Sequence, residues 1–358
     1  MNKFLRLIVI VFILSIYLLT FAQGKADDDY WVTKAKMPTG RLGPGVAAVN
    51  GKIYVIGGIN EDGELNTNEE YDPVTDIWTA RTSMPTKRSA FAIVAYANKI
   101  YVIGGGGDFG FDEVTGINEV YDPLTDTWET KTQMPTARQF LCANVVNDKI
   151  YLIGGSKPFN PHNPDPYVSN VNEAYDPETD SWIIKTPPPV QVSNYASAVI
   201  DDKIYIISGV GDDETLTQIY DPKTDSWTYG ASIPTSVWGA AAGATTGVSA
   251  PKRIYVLGGY PAFSLNQVYD PETDTWTMGA QMPTNRYGLG VAVVNDVLYA
   301  IGGPGSYAMT ANEQYIPIGF IPEFPSWTIL PLLVLTIVVV IVYRKKLHRT
   351  QLTNIFGA

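Results

Sequence analysis

KIYVIGG at 52–58, NEEYDPVTDIW at 68–78 and MPTKR at 84–88 form a sentence that the rest of the chain repeats. It returns as KIYVIGG (99–105) with NEVYDPLTDTW (118–128), and as KIYLIGG (149–155) with NEAYDPETDSW (172–182). Two looser copies follow: KIYIISG (203–209) with YDPKTDSW (220–227), and RIYVLGG (253–259) with YDPETDTW (269–276). A last, incomplete copy is LYAIGG (298–303) with NEQYIP (312–317). A period of this length, rich in Gly and aromatics, means a repeat architecture. In the first copy four short runs fit strands: Gly45–Val49, Ile53–Ile56, Asn68–Tyr71 and Trp78–Thr82. They are β-branched or aromatic and are punctuated by turn formers. Asn50-Gly51 is a hairpin turn, and Asp72-Pro73 opens a type I turn. Gly57-Gly58 ends the second run where a side chain would meet neighbouring backbone or need a forbidden φ.

The diglycine, the Tyr and the Trp of each copy resemble the kelch motif, across nearly the whole chain between its apolar ends. The resemblance implies a β-propeller. The physics agrees, because a four-stranded sheet with one Tyr and one Trp cannot bury those rings without a neighbour. Tyr71, Trp78 and their equivalents read as core, and truncating such a Trp between blades should lose roughly 3–5 kcal/mol. The sixth copy lacks its Trp strand, whereas Trp31 to Pro38 match Trp78 to Pro85. The expected fold is therefore all-β, a six-bladed kelch-type β-propeller over residues 24–315, closed by the N-terminal strand.

The ends read differently. Residues 1–23 carry Lys3 and Arg6, an apolar core Leu7–Leu19 and the small-residue site Thr20-Phe21-Ala22, the pattern of a signal peptide. Residues 24–29 read as a polar leader. After the propeller come a Pro-rich spacer (316–326), an apolar run (327–343) and a basic tail (344–358). The run suits a transmembrane helix, with Trp327 and Tyr343 at its interfaces and the basic tail cytoplasmic. Export and anchoring then agree on a propeller outside the cell. PEFP at 322–325 resembles archaeal PEF-type sorting signals, which implies archaeosortase processing, with the helix replaced by a lipid; a plain juxtamembrane spacer is the alternative.

Between the apolar ends stand all 36 acidic residues against 19 of the 25 Lys and Arg, a formal charge near −17. Such a surface argues against nucleic acid as a partner. Cys142, the only cysteine, excludes an intramolecular disulfide and reads as a small buried hydrophobe.

Turns between strands alternate between the two ends of each blade. One face carries short, uniform turns, except for an insertion at Ala244–Pro251. The other carries loops of unequal length after the diglycine, together with the connections between blades. Variable loops on a rigid scaffold are where binding is placed. Phe159, His162 and Tyr167 stand on the long loop of blade three. Three residues after each Met-Pro come Arg41, Arg88, Arg138 and Arg286, replaced by Val192 and Val237 in blades four and five. In kelch propellers that bind acidic peptides, arginines of this region contact the ligand, which the resemblance implies here. The alternative is that each Arg braces an Asp or Glu of the next blade. Tyr195, Trp238 and Tyr287 stand nearby and offer faces for a sugar.

The partner expected is an extracellular protein or a glycan, including an acidic one, with the membrane met through the C-terminal segment. No cofactor or metal is expected: the exported part holds one histidine, so a His cluster cannot form. No catalytic residue is assigned. Six-bladed kelch proteins exported from bacteria include a sialic-acid mutarotase, so an enzyme acting on an acidic sugar stands as one alternative, and a structural envelope component as another.

Overall fold

In the computed structural model, which describes residues 28–107, 113–158, 167–304 and 310–322, every repeat becomes one antiparallel sheet. Blade one runs from the axis outward as Gly45–Val49, Lys52–Ile56, Asn68–Asp72 and Ile77–Arg81. Five sheets of this kind follow one another, and the sixth is completed by Tyr30–Thr33. That strand pairs antiparallel with Asn312–Ile316 and sets Trp31 opposite Tyr315, the register of Trp78 on Tyr71 in blade one. The ring is closed as its sequence demands. The expected signal peptide (1–23), the apolar run (327–343), the basic tail (344–358), and Phe159 and His162 lie outside the described residues. No helix among the described residues is long and apolar enough to cross a membrane.

The first-to-second hairpins follow from their residues. Asn50 and Gly51 take φ of 51° and 75°, and Asn147-Asp148 take 49° and 59°, the paired left-handed angles of a type I′ turn. Asn and Asp tolerate that region better than other side-chain-bearing residues, which explains their recurrence here. Gly57 meets both expectations set for it: φ is +57°, and an added Cβ would lie 2.7 Å from the Arg88 carbonyl oxygen of the next blade.

Each blade interface repeats one aromatic arrangement. A second-strand Tyr meets the third-strand Tyr of the next blade, from Tyr54 and Tyr121 (5.8 Å between centroids) round to Tyr299 and Tyr71 (6.1 Å). Each third-strand Tyr also lies against its cross-strand Trp, as Tyr71 does on Trp78 at 4.9 Å. The tyrosines are fully buried, but the tryptophans only half. Loss of one Trp ring thus falls at the low end of the range for buried aromatics, about 3 kcal/mol.

The half-exposed Trp does a second job with its N–H. Trp78 Nε1 donates to the Ala35 carbonyl (2.8 Å), while the Ala35 N–H donates to Asp76 (2.9 Å), which also accepts from the Tyr71 hydroxyl (2.6 Å). Tyr, Asp and Trp of one blade thus grip both ends of one residue at the outer edge of the blade before. The grip recurs on Thr82, Thr132, Thr186 and Ala231. Its sixth instance corrects the reading of 24–29 as mere leader. Asp29 accepts from Ala280 N (2.6 Å) and from the Tyr315 hydroxyl, two residues ahead of Trp31, whose indole donates to Ala280 O (2.8 Å). The propeller starts at this aspartate, inside the compact unit that spans Asp28–Ile318.

Candidate functional site: an aromatic mouth over the central channel

The connections between blades run inward past Met-Pro to the channel. There six residues, one per blade, take left-handed backbone angles: Gly43, Ala90, Phe140, Asn194, Gly239 and Gly288, with φ between 52° and 64°. Backbone bonds link them from blade to blade, as Asn194 N to Phe140 O (2.9 Å) and Gly43 N to Gly288 O (2.9 Å). For Ala90 and Phe140 this conformation is strained by about 1–3 kcal/mol, and such strain clusters at functional sites. The belt surrounds a cavity of about 670 Å³ to which all six blades contribute. Its wall is largely apolar, with Phe91, Leu141 and Val291 among the side chains, and no charged residue lines it among the described residues.

The four arginines are not in that wall. Arg41, Arg88, Arg138 and Arg286 are at most 1 % exposed. Each points into the blade it introduces and pairs with a third-strand glutamate: Arg41 with Glu69, Arg88 with Glu119 (2.7 Å), Arg138 with Glu173 (2.7 Å) and Arg286 with Glu313 (2.6 Å). Backbone carbonyls take further donors, as Arg88 Nη1 donates to Gly104 O (2.7 Å) and Ile117 O (3.0 Å), while the Nε of Arg88 and of Arg286 has no partner among the described residues. A threonine two residues earlier donates to the other carboxylate oxygen, as Thr86 does to Glu119 (2.7 Å). Burial lowers the Arg138 guanidinium below its ordinary pKa while Glu173 pulls it back up. The expected ligand-contacting role has no geometry behind it; the bracing alternative describes these residues.

Blades four and five confirm this by what they change together. Where Arg becomes Val192 or Val237, the partner Glu becomes Gln218 or Gln267. The Gln218 amide then bonds both N–H and C=O of Val190 (3.0 Å each), and Gln267 does the same with Thr235 (2.9 Å each). An ion pair has been exchanged for a neutral bridge at both ends at once. The glutamates escaped the sequence reading, although the matched Val and Gln substitutions were the signal for them.

The aromatic candidates do meet at the channel. Trp238 and Tyr287 both line the cavity, with their rings edge-on at 5.7 Å. Two rings the sequence reading missed extend the wall. Tyr260 lies 5.1 Å from Trp238, and Phe263 lies 5.5 Å from Tyr260 and 6.0 Å from Tyr287. A two-way backbone bridge between Trp238 and Tyr260 holds the first pair in place. Tyr195 reaches the cavity too, but its own ring is buried. Its hydroxyl donates to Ile153 O (2.5 Å) and accepts from Cys142 N (3.1 Å), so it is wall rather than contact. Tyr167, on the loop of blade three, is 37 % exposed and outside the cavity lining. Cys142 precedes the inner strand Ala143–Val146 and is half-buried in the cavity wall, where burial pushes its thiol up to about 12. No group of three or more His, Cys, Asp or Glu is placed to hold a metal ion among the described residues.

Family models match along the first two thirds of the chain. The KLHDC2/KLHL20/DRC7 Kelch-repeats domain matches residues 14–155, and two Kelch motif models match 137–189 and 191–234. The chain carries kelch repeats. Folded as six blades, kelch repeats generally serve as an interaction module. No curated protein matches the chain. Among solved structures, that of YjhT superposes with a TM-score of 0.65 at 17% identity, covering 78% of this chain and 95% of its own, a likeness of fold alone.

Proposed function

We propose that this kelch propeller is exported, anchored to the plasma membrane by its C-terminal segment with the propeller outside, and binds an extracellular protein or polysaccharide through the face of its variable loops. The observation that carries the reading is the uncharged cavity of about 670 Å³, walled in part by aromatic rings, that the blade connections and inner strands enclose. Concave sites with apolar walls and a few polar groups are where ligands bind. Chemistry on an acidic sugar draws little support, because the four arginines that would hold its carboxylate are consumed by glutamates.

The test is saturable binding of the full chain to fractionated cell-envelope material. Tyr260→Ala on the variable face should weaken it, and Leu124→Ser, 93 % exposed on the uniform face, should not. Absence of saturable binding, or equal loss from both variants, would overturn the reading. Protease treatment of intact cells tests the topology: the propeller should be accessible, and full protection would refute its external placement.

A further inference from the structure

We infer that the channel mouth takes a neutral saccharide, laid on the Trp238–Tyr287 wall with its hydroxyls met by the polar atoms around it; this rests on the binding-module reading above. The described tryptophans fall into two kinds. Six of them, Trp31, Trp78, Trp128, Trp182, Trp227 and Trp276, spend the indole N–H on a carbonyl of the preceding blade. Trp238 belongs to no such clamp. It stands at the cavity mouth, and its N–H has no partner among the described residues. The same holds for the hydroxyls of Tyr260 and Tyr287 and for the side-chain amide of Asn194, which lines the cavity.

The belt itself carries no side chain on this side, where Leu42 packs over Gly288. Blades five, six and one place Gly239, Gly288 and Gly43 at the left-handed positions, whereas blades three and four place Phe140 and Asn194 there. The lining is thus lopsided, with the Trp238 and Tyr287 rings on one side and an aromatic and an amide on the other. Sugar rings have an apolar C–H face and an equatorial fringe of hydroxyls. Half-exposed Trp and Tyr present a flat apolar body with a polar tip, and so suit both parts. The absence of charge in the lining selects against carboxylated sugars, as does a net charge near −17 on the exported part. A purely apolar ligand would leave the indole N–H and both hydroxyls unmatched on binding.

Affinity electrophoresis of the full chain, in a non-glycosidic detergent, tests this with gels carrying hydroxyethylcellulose, mannan or laminarin, and polygalacturonate as the acidic comparator. At least one neutral polysaccharide should retard the protein. Trp238→Ala should weaken that retardation roughly thirtyfold, the scale of a central aromatic anchor. Trp238→Phe, which keeps an aromatic face but a smaller one and loses the N–H, should fall between, and Leu124→Ser should match the parent. The inference is overturned if no neutral polysaccharide retards the chain, if polygalacturonate is preferred, or if Trp238→Ala leaves retardation unchanged. Should saturable binding to envelope protein persist while every neutral polysaccharide fails, the binding-module reading stands and the saccharide does not.

Discussion

Glu119→Gln removes one negative charge from a site where Arg88 is 1 % exposed and cannot reach water. Arg88 would keep its bonds to the carbonyls of Gly104, Ile117 and Val102, but neutral dipoles do not offset a buried cation. Breaking such a pair from one side loses about 3–5 kcal/mol. With an unfolding entropy of about 2.1 cal/mol/K per residue, a unit the size of Asp28–Ile318 loses roughly 1.6 °C of melting temperature per kcal/mol, so the transition should fall by about 5–8 °C. The informative variant is the double one, Arg88→Val with Glu119→Gln. It installs in blade two the solution that blades four and five already use, where Gln218 and Gln267 bridge the peptides of Val190 and Thr235. Charge and counter-charge leave together, so the double variant should lose only about 1–2 kcal/mol, the scale of the carbonyls left without their guanidinium donor. Urea denaturation followed by tryptophan fluorescence measures all three proteins, with an unchanged m-value as the condition for comparing them. A double variant less stable than Glu119→Gln alone would refute the claim that these pairs are structural braces.

Three further outcomes follow from the same geometry. Asp29→Ala should unlatch the closing strand, losing about 1–3 kcal/mol and speeding amide exchange at residues 30–33, while the exposed Asp28→Ala leaves both unchanged. Hydrogen exchange by mass spectrometry reads this directly, and equal behaviour of the two variants would count against the latch. Acid should weaken the ring. The Tyr175 hydroxyl holds Asp180 below the usual carboxylate range, and Lys52 holds Asp72 down at about 2. A depressed folded pKa contributes stability that is present above the unfolded value and lost as pH falls through the folded one. Melting temperature should therefore hold between pH 5 and pH 7 and decline below about pH 4; Asp180→Asn should flatten part of that decline, and an acid-independent melt would contradict the clamp. Finally, Cys142, whose thiol burial pushes up to about 12, should react with maleimide at pH 7.5 far more slowly in the native chain than in urea. Comparable rates would mean that the channel wall is open to reagent.

The propeller was legible because its repeats differ so little. Six Tyr positions, six Trp positions and a Trp31 strand without a partner at its own end of the chain leave one closed arrangement. Asp29 was equally visible in principle, standing two residues ahead of its Trp like Asp76 and Asp126, but a run of three aspartates disguised it as leader. The arginines were misplaced for a different reason. A sequence gives their place on a connection but not the direction of a long side chain, and only the partner strand decides that direction. The mouth was half legible. Trp238 and Tyr287 are adjacent to the belt in sequence, whereas Tyr260 and Phe263 join them through the Trp238–Tyr260 bridge and the Phe263–Tyr287 contact, pairings that the linear sequence does not show.

Ring closure by the amino-terminal strand also orders events in time. Asp29 and Tyr30–Thr33 leave the ribosome before the rest of the propeller, yet the partner strand Asn312–Ile316 is among its last parts made. Until then one flank of blade six stays open, and the first strand waits unpaired through the synthesis of everything between. A pairing so distant in sequence is slow to form, so the nascent chain remains vulnerable to mispairing for nearly the whole of its production.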